Sequence, residues 1–191
     1  MQIVGVQVGQ ARRVLIGGRS VMTAIRKTEV TGPVAVRPLG LEGDEQVDLS
    51  VHGGLEKAIY AYPSEHYGFW RAQRALAGVA DIDDQLPWGA MGENLTLSGL
   101  LEADLWVGDL LAFTDCTLRV AQPREPCFKF NAAMGYKQAV KDMAQSGFCG
   151  FYLSVDQAGS IRPGEAFALH QGPRRVSIPE RFHAKMFKHM R

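Results

Sequence analysis

Short β-prone runs punctuated by glycine and proline dominate the pattern of apolar and polar positions along this chain. The opening Met-Gln-Ile-Val-Gly-Val-Gln-Val alternates as a strand with one buried face does, which predicts a strand from Gln2 to Val8. Similar runs lie at Val21 to Arg26, Val34 to Val36, Asn94 to Leu97, Leu110 to Thr114, Thr117 to Ala121, Phe151 to Val155 and Glu165 to His170. They recur closely, with no regular strand–helix alternation, and so predict a mainly β barrel or sandwich carrying a few helices. Gly17-Gly18 between Val14 and Ser20 marks a hairpin turn, and Asp156 to Ser160 marks a second, with Gly159 expected at a positive φ.

A helical period appears in three places. Ser64 heads a run to about Ala77 with Tyr67, Phe69 and Trp70 apolar and Gly78 as a stop. Tyr136 to Ser146, ended by Gly147, gathers Val140, Met143 and Ala144 on one side. Near the end, Ser177 and Glu180 have capping-box spacing, and Phe182, Met186 and Met190 recur opposite Arg181, Lys185, Lys188 and Arg191. This reading divides the chain into one domain over 1–175 and an amphipathic helix over 176–191, an appendage that docks its apolar stripe on the domain.

Composition changes this picture little. The 191 residues, 46% hydrophobic and 21% charged, fit a single domain with a sizeable core. A net charge of +1 gives no global attraction to nucleic acid, so an anionic partner needs a local cluster of cations, and a small ligand is expected. The first residues lack the basic start and long apolar stretch of a signal peptide, and no later run is long and apolar enough for a membrane span, which points to the cytoplasm.

The most pointed chemistry lies in Gln122-Pro-Arg-Glu-Pro-Cys-Phe-Lys-Phe130. Pro123 and Pro126 fix their φ angles and donate no backbone hydrogen bond, so the segment reads as a stiff loop following a strand. Arg124 and Lys129 bracket Cys127, and nearby cations bring a thiol from about 8.5 to roughly 3.5–7.5. Cys127 is therefore read as a metal-ligating or nucleophilic thiolate, against the alternative of an inert buried thiol. The three cysteines, Cys116, Cys127 and Cys149, are too few and too scattered for a disulfide framework, a paired zinc site or an iron–sulfur cluster, and Cys116 and Cys149 read as core. A nucleophile elbow, a phosphate-cradling loop ending in Lys-Ser or Lys-Thr, a dinucleotide fingerprint and a zinc-protease histidine pair are all missing.

Two further constellations stand out. Gly40-Leu-Glu-Gly-Asp-Glu-Gln46 leads into Val51-His-Gly-Gly54 and Lys57, where glycines let backbone amides approach a ligand and His52 offers an imidazole. Met91-Gly-Glu-Asn-Leu-Thr96 offers Glu93 as an acceptor and Asn94 as both donor and acceptor.

Together with Tyr-Pro-Ser-Glu-His-Tyr at 62–67, Trp70, Gly108-Asp109 and Gly150-Phe-Tyr152, these segments, in their order and spacing over roughly Leu39 to Leu169, resemble the MOSC domain family, and within it the bacterial YiiM-like type associated with resistance to N-hydroxylated base analogues. The resemblance implies a MOSC-type β-barrel that binds molybdenum cofactor (molybdopterin), with Cys127 coordinating molybdenum. It makes Arg124, Lys129 and Lys57 candidates for holding the anionic pterin phosphate, and His52, Glu93 and Asn94 candidates for the cofactor site, either supporting the groups that touch the cofactor or touching substrate, with His52 the expected proton donor. The implied activity is reductive removal of oxygen from a small N-hydroxylated substrate. Electrons must come from a redox partner protein, because the chain carries no flavin, nicotinamide or iron–sulfur motif. The alternative is a cofactor carrier or sulfur-transfer module using a Cys127 persulfide, since MOSC domains also occur fused to molybdenum cofactor sulfurases. Relatives of the YiiM-like type often continue into a helical C-terminal extension, whereas here a single helix is predicted, which leaves substrate range and partner docking open.

Overall fold

The computed structural model describes residues 1–47 and 53–188, and among these it is mainly β with four α-helices. In chain order the strands are β1 (Gln2–Val8), β2 (Arg12–Ile16), β3 (Arg19–Thr23), β4 (Thr28–Glu29), β5 (Val34–Arg37), β6 (Gly40–Leu41), β7 (Ile59–Pro63), β8 (Leu95–Ser98), β9 (Leu110–Ala112), β10 (Thr117–Pro123), β11 (Phe151–Gln157), β12 (Gly159–Ile161) and β13 (Ala168–His170). The helices are α1 (Tyr67–Leu76), α2 (Phe128–Met134), α3 (Ala139–Ser146) and α4 (Ile178–Met186).

Eight strands form the main sheet in the order β13-β9-β10-β11-β7-β8-β1-β4, while β12-β5-β6 and the β2-β3 hairpin form two small sheets. Pairing in the main sheet is antiparallel except between β7 and β8, which run parallel because α1 carries the chain from the end of one to the start of the other. β7 is buried along its whole length, flanked by β11 and β8, so its sequence Ile-Tyr-Ala-Tyr-Pro lacks the in–out alternation that marks a half-exposed strand.

The expected barrel is found as an open sheet. The start of β1 bridges Gln2 to Ala166, and the Ile3 amide donates to the Glu165 carbonyl at 2.8 Å, so the lead into β13 approaches β1. No continuous ladder joins them among the described residues. Pro163 has no amide to donate, and the turn held by the Glu165 carboxylate accepting from the Arg162 amide at 3.2 Å redirects the chain.

The first hairpin is as expected, with Gly17 and Gly18 at φ 57° and 78° joining β2 to β3. The second is not. Gly159 belongs to β12, which pairs with β5 rather than folding back on β11, and a Cβ at this position would stand 2.1 Å from the Asp115 carbonyl oxygen, so its glycine serves close approach rather than a positive φ.

The core gathers where α1 and α2 pack beside β7. Trp70 is fully buried, meets Phe130 edge-to-face at 5.2 Å and donates its indole N–H to the Tyr62 hydroxyl. Tyr60 and Tyr62 in turn donate to the carbonyls of Cys149 and Phe148 at 2.8 and 3.0 Å, tying β7 to the entry of β11. Ser64 does not cap α1. Its hydroxyl faces Glu65 and a 3₁₀ turn over Ser64–His66 precedes the helix. The capping box of α4 forms as expected, the Ser177 amide donating to Glu180 at 2.8 Å and the Glu180 amide to Ser177 at 3.3 Å, and Phe182 and Ile178 are buried. Met190 of the expected stripe lies outside the described residues. No helix among the described residues is long and apolar enough to cross a membrane.

Candidate functional site

The β3–β4 connection, the segment at 44–47, the approach to β7, the turn before β8, the end of β10 and β11 together wall one cleft. Its empty space, counted together with the part open to solvent, is about 670 Å³.

Cys127 lies at this cleft, half-buried, as the residue that starts α2 in an extended conformation. The stiff loop read from the two prolines is therefore short. β10 runs through Pro123, and after Pro126 the chain turns directly into a helix that the apolar–polar pattern of Phe128 to Met134 did not announce. Of the other expected residues, Arg124, Lys129, Lys57 and Asn94 line the same cleft. His52 lies outside the described residues.

Arg124 is the most distinctive of these groups. It is 4% exposed, its guanidinium carbon lies 4.9 Å from both the Tyr60 and the Phe130 ring centroids, and one of its nitrogens is 3.9 Å from the Met143 sulfur. No carboxylate pairs with it among the described residues. Burial works against its charge, but the Tyr60 and Tyr152 phenols and the Cys127 thiol outweigh this and raise its pKa. A buried cation held by aromatic faces, with no carboxylate partner among the described residues, suits an anion.

The remaining cations are placed by other means. Lys129 donates to the Met22 carbonyl at 3.1 Å, joining α2 to the hairpin, and Lys57 sits 5.8 Å above the Tyr152 ring. Lys27, which the sequence reading did not single out, is buried against Asp44, and the Asp44 carboxylate also accepts from the Gly9 amide at 2.6 Å. Asp44 and Glu45 are the carboxylates facing four cations among the described lining residues, so that described lining carries a net positive charge.

Two expected contacts are placed differently. Glu93 is fully buried and does not line the cleft; its carboxylate accepts from the Tyr67 hydroxyl, from the Gly89 and Met91 amides at 2.9 and 3.0 Å and from the Thr96 hydroxyl at 2.9 Å. Held by four donors and with no exposed surface, it fixes the turn before β8. Asn94 does line the cleft, but its side-chain oxygen accepts from the Tyr60 amide at 3.1 Å and its NH₂ donates to the Gln7 carbonyl at 3.2 Å, which stitches β7 to β1. Gly92, just before Glu93, lies at φ 85°, and a Cβ there would press to 2.8 Å of Ile25, another lining residue.

Tyr60 and Tyr152 complete the wall, and neither was singled out for the site in the sequence. Burial, the largest influence, raises both phenols, with Arg124 opposing, so both stay protonated near neutral pH. Their signal was present as Tyr60 in an unbroken apolar run and Tyr152 after Gly150, but aromatic residues in strands read first as core. Cys116 and Cys149 are core as expected, at 1% and 0% exposure, and burial pushes the Cys116 thiol up to about 12 and raises that of Cys149 as well.

Comparison with known proteins matches residues 48–168 to the family model described as the MOSC domain. Protein YiiM of Escherichia coli is 36% identical over 158 residues, covering 83% of this chain and 68% of that protein. A crystal structure of YiiM from Geobacillus stearothermophilus superposes with a TM-score of 0.77 at 34% identity, covering 98% of this chain and 84% of that one. A protein named reductase from Gibberella moniliformis is 33% identical over 169 residues, and the match spans 88% of this chain but 29% of that longer protein.

Proposed function

The chain is a YiiM-like member of the MOSC domain family, and from that premise we propose that it is an oxidoreductase that binds molybdenum cofactor and reduces N-hydroxylated compounds such as N-hydroxylated purines or amidoximes, with electrons from a partner protein. The observation that carries this reading is the presence in one cleft of the half-buried Cys127 thiol and the buried Arg124 guanidinium without a carboxylate partner among the described residues. The name of the Gibberella protein, a reductase, supports the reaction class.

The residues present suit such a group. No three His, Cys, Asp or Glu side chains gather into a metal site among the described residues, and Cys127 is the one thiol that lines the cleft among them. A soft thiolate is the fitting donor for a metal already held by dithiolene sulfur. Cys127 would supply that sulfur, and Arg124, Lys57 and Lys129 would hold the anionic phosphate by charge-assisted hydrogen bonds. When bound, the cofactor supplies two-electron chemistry.

The chain's own part is to bind, orient and supply protons. Reduction of an N–OH group to N–H consumes two electrons and two protons and releases water, so a proton donor must stand at the departing oxygen. His52 is our candidate for that donor, and Lys57 lines the cleft wall. Tyr60 keeps its hydroxyl proton on the Cys149 carbonyl and is a fixed wall rather than a shuttle.

Purification from cells able to make the cofactor, with molybdenum measured in the parent and in Cys127→Ser, tests the reading. The expected result is metal in the parent, loss of most of it in the variant, and turnover of benzamidoxime or 6-hydroxylaminopurine with a supplied electron donor. Metal without turnover replaces the reductase by a cofactor carrier, and equal metal in both proteins removes Cys127 from the role.

A further inference from the structure

A second cleft shares Ile25 and Lys27 with the first and encloses about 760 Å³, again partly open to solvent. Lys27 divides itself between the two. Its ammonium bonds Asp44 in the first cleft, while its stem lies against the Gly89 backbone in the second, close enough that a Cβ on Gly89 would stand 2.9 Å from the Lys27 Cβ. The second cleft is lined by Arg12 from β2, Arg26 from the β3–β4 connection and Arg74 from α1, with Leu86, Pro87 and Trp88 as an apolar wall.

No carboxylate lines it among the described residues. Arg12 and Arg26 are exposed and make no ion pair among those residues, and Arg74 uses only its Nε, donating to the Met134 carbonyl at 3.2 Å. Asp84, close in sequence to Leu86, turns its carboxylate to the Asp81 amide at 3.0 Å. Trp88 is braced by the edge of Tyr67, with centroids 4.6 Å apart and planes at 80°, and Tyr67 is held by Glu93. Three guanidinium forks and a fixed indole on the wall of one cleft are a receptor for an oxyanion attached to a flat organic group.

We propose that this cleft is a binding subsite for a phosphate-bearing organic anion of the nucleotide class, its phosphates on Arg12, Arg26 and Arg74 and its ring against the Leu86–Trp88 wall. The subsite itself uses neither Cys127 nor a metal, so occupancy by a free nucleotide is independent of the reductase reading, whereas occupancy by a cofactor tail rests on it. The same chemistry has two sources: a free phosphorylated nucleoside, or a phosphate-bearing tail on a cofactor seated in the first cleft.

Titration calorimetry on the full chain, purified from cells unable to make molybdenum cofactor, tests this with ADP, adenosine and inorganic pyrophosphate as probes. ADP is expected to bind at least about tenfold more tightly than adenosine, because its phosphates gain charge-assisted hydrogen bonds that adenosine lacks, and pyrophosphate is expected to compete with ADP. The double variant Arg12→Gln/Arg26→Gln, whose side chains are exposed and structurally uncommitted, is expected to weaken ADP about tenfold or more, leave adenosine unchanged and keep the parent's thermal midpoint. Cys127→Ser is expected to bind ADP as the parent does, so loss of molybdenum in that variant is read separately. ADP binding that persists in protein from cofactor-making cells assigns the subsite to free nucleotide, and its loss there assigns it to a cofactor tail. Equal affinity for ADP and adenosine, an unaffected double variant, or binding confined to long polyanions such as heparin overturns the proposal.

Discussion

Replacing Glu93 separates a framework role from a ligand contact, and the atoms set the size of the effect. Three donors, the Tyr67 hydroxyl, the Gly89 amide and the Thr96 hydroxyl, meet one carboxylate oxygen, and the Met91 amide alone meets the other. In Glu93→Ala all four lose a charged acceptor. The Gly89 amide keeps the Tyr67 oxygen at 3.1 Å, but the Met91 amide is stranded in a buried turn. One orphaned amide at about 1–3 kcal/mol and two hydroxyls each losing part of about 1.5–3 kcal/mol give a loss of roughly 3–5 kcal/mol. Glu93→Gln keeps an oxygen for the three-donor side and turns its NH₂ toward the Met91 amide, so the loss falls to about 1–3 kcal/mol. Urea unfolding with a shared m-value measures both. A Glu93→Ala loss under about 1 kcal/mol, or a Gln variant as unstable as the Ala variant, refutes the placement of this carboxylate.

Three further outcomes follow from the same geometry. Arg124→Met exchanges a buried cation that has no carboxylate partner among the described residues for an apolar chain of similar length, so stability in urea is expected to hold within about 1 kcal/mol or rise, while retained molybdenum falls about tenfold or more; a large loss of stability would make Arg124 a scaffold residue instead. Native alkylation with iodoacetamide is expected to give a single adduct, at Cys127, because Cys116 and Cys149 are 1% and 0% exposed, and peptide mass mapping that finds either of those modified first contradicts the packing. Unfolded Cys116 ionises near 8.5–9 whereas the folded residue holds its proton to about 12. Its contribution to stability is therefore whole below about pH 9 and declines as pH rises toward 12, so the fall in urea midpoint between about pH 8 and about pH 10 is expected to be shallower in Cys116→Ala. Equal slopes would mean that the thiol ionises freely in the fold.

The parts of the fold legible in the sequence are those with a local cause. Gly17-Gly18 dictates a hairpin, Ser177 and Glu180 cap a helix, and the alternation of Gln2 to Val8 gives a strand. β7 escaped because burial on both faces erases alternation, and α2 because two prolines and a cysteine advertise a loop. Gly159 illustrates a different limit: the sequence marks a need for glycine, but only the neighbour Asp115 tells why. For the site, Cys127 and Arg124 were readable because their chemistry is unusual in its local setting, and both reach the cleft. Glu93 was assigned to the ligand because a carboxylate beside Asn94 looks available, and only its four buried donors reveal that it is not. Lys27, Tyr60 and Tyr152 depend on contacts made across long stretches of chain, which no local pattern records.

Lys27 belongs to both clefts through different atoms, its ammonium to one and its stem to the other. The two hollows therefore cannot be retuned one at a time. A change that shortens or redirects this side chain alters the charge of the first and the shape of the second together. If filling one side displaces the shared partition, thermodynamic linkage requires that filling the other side push back on the first occupant by the same free energy.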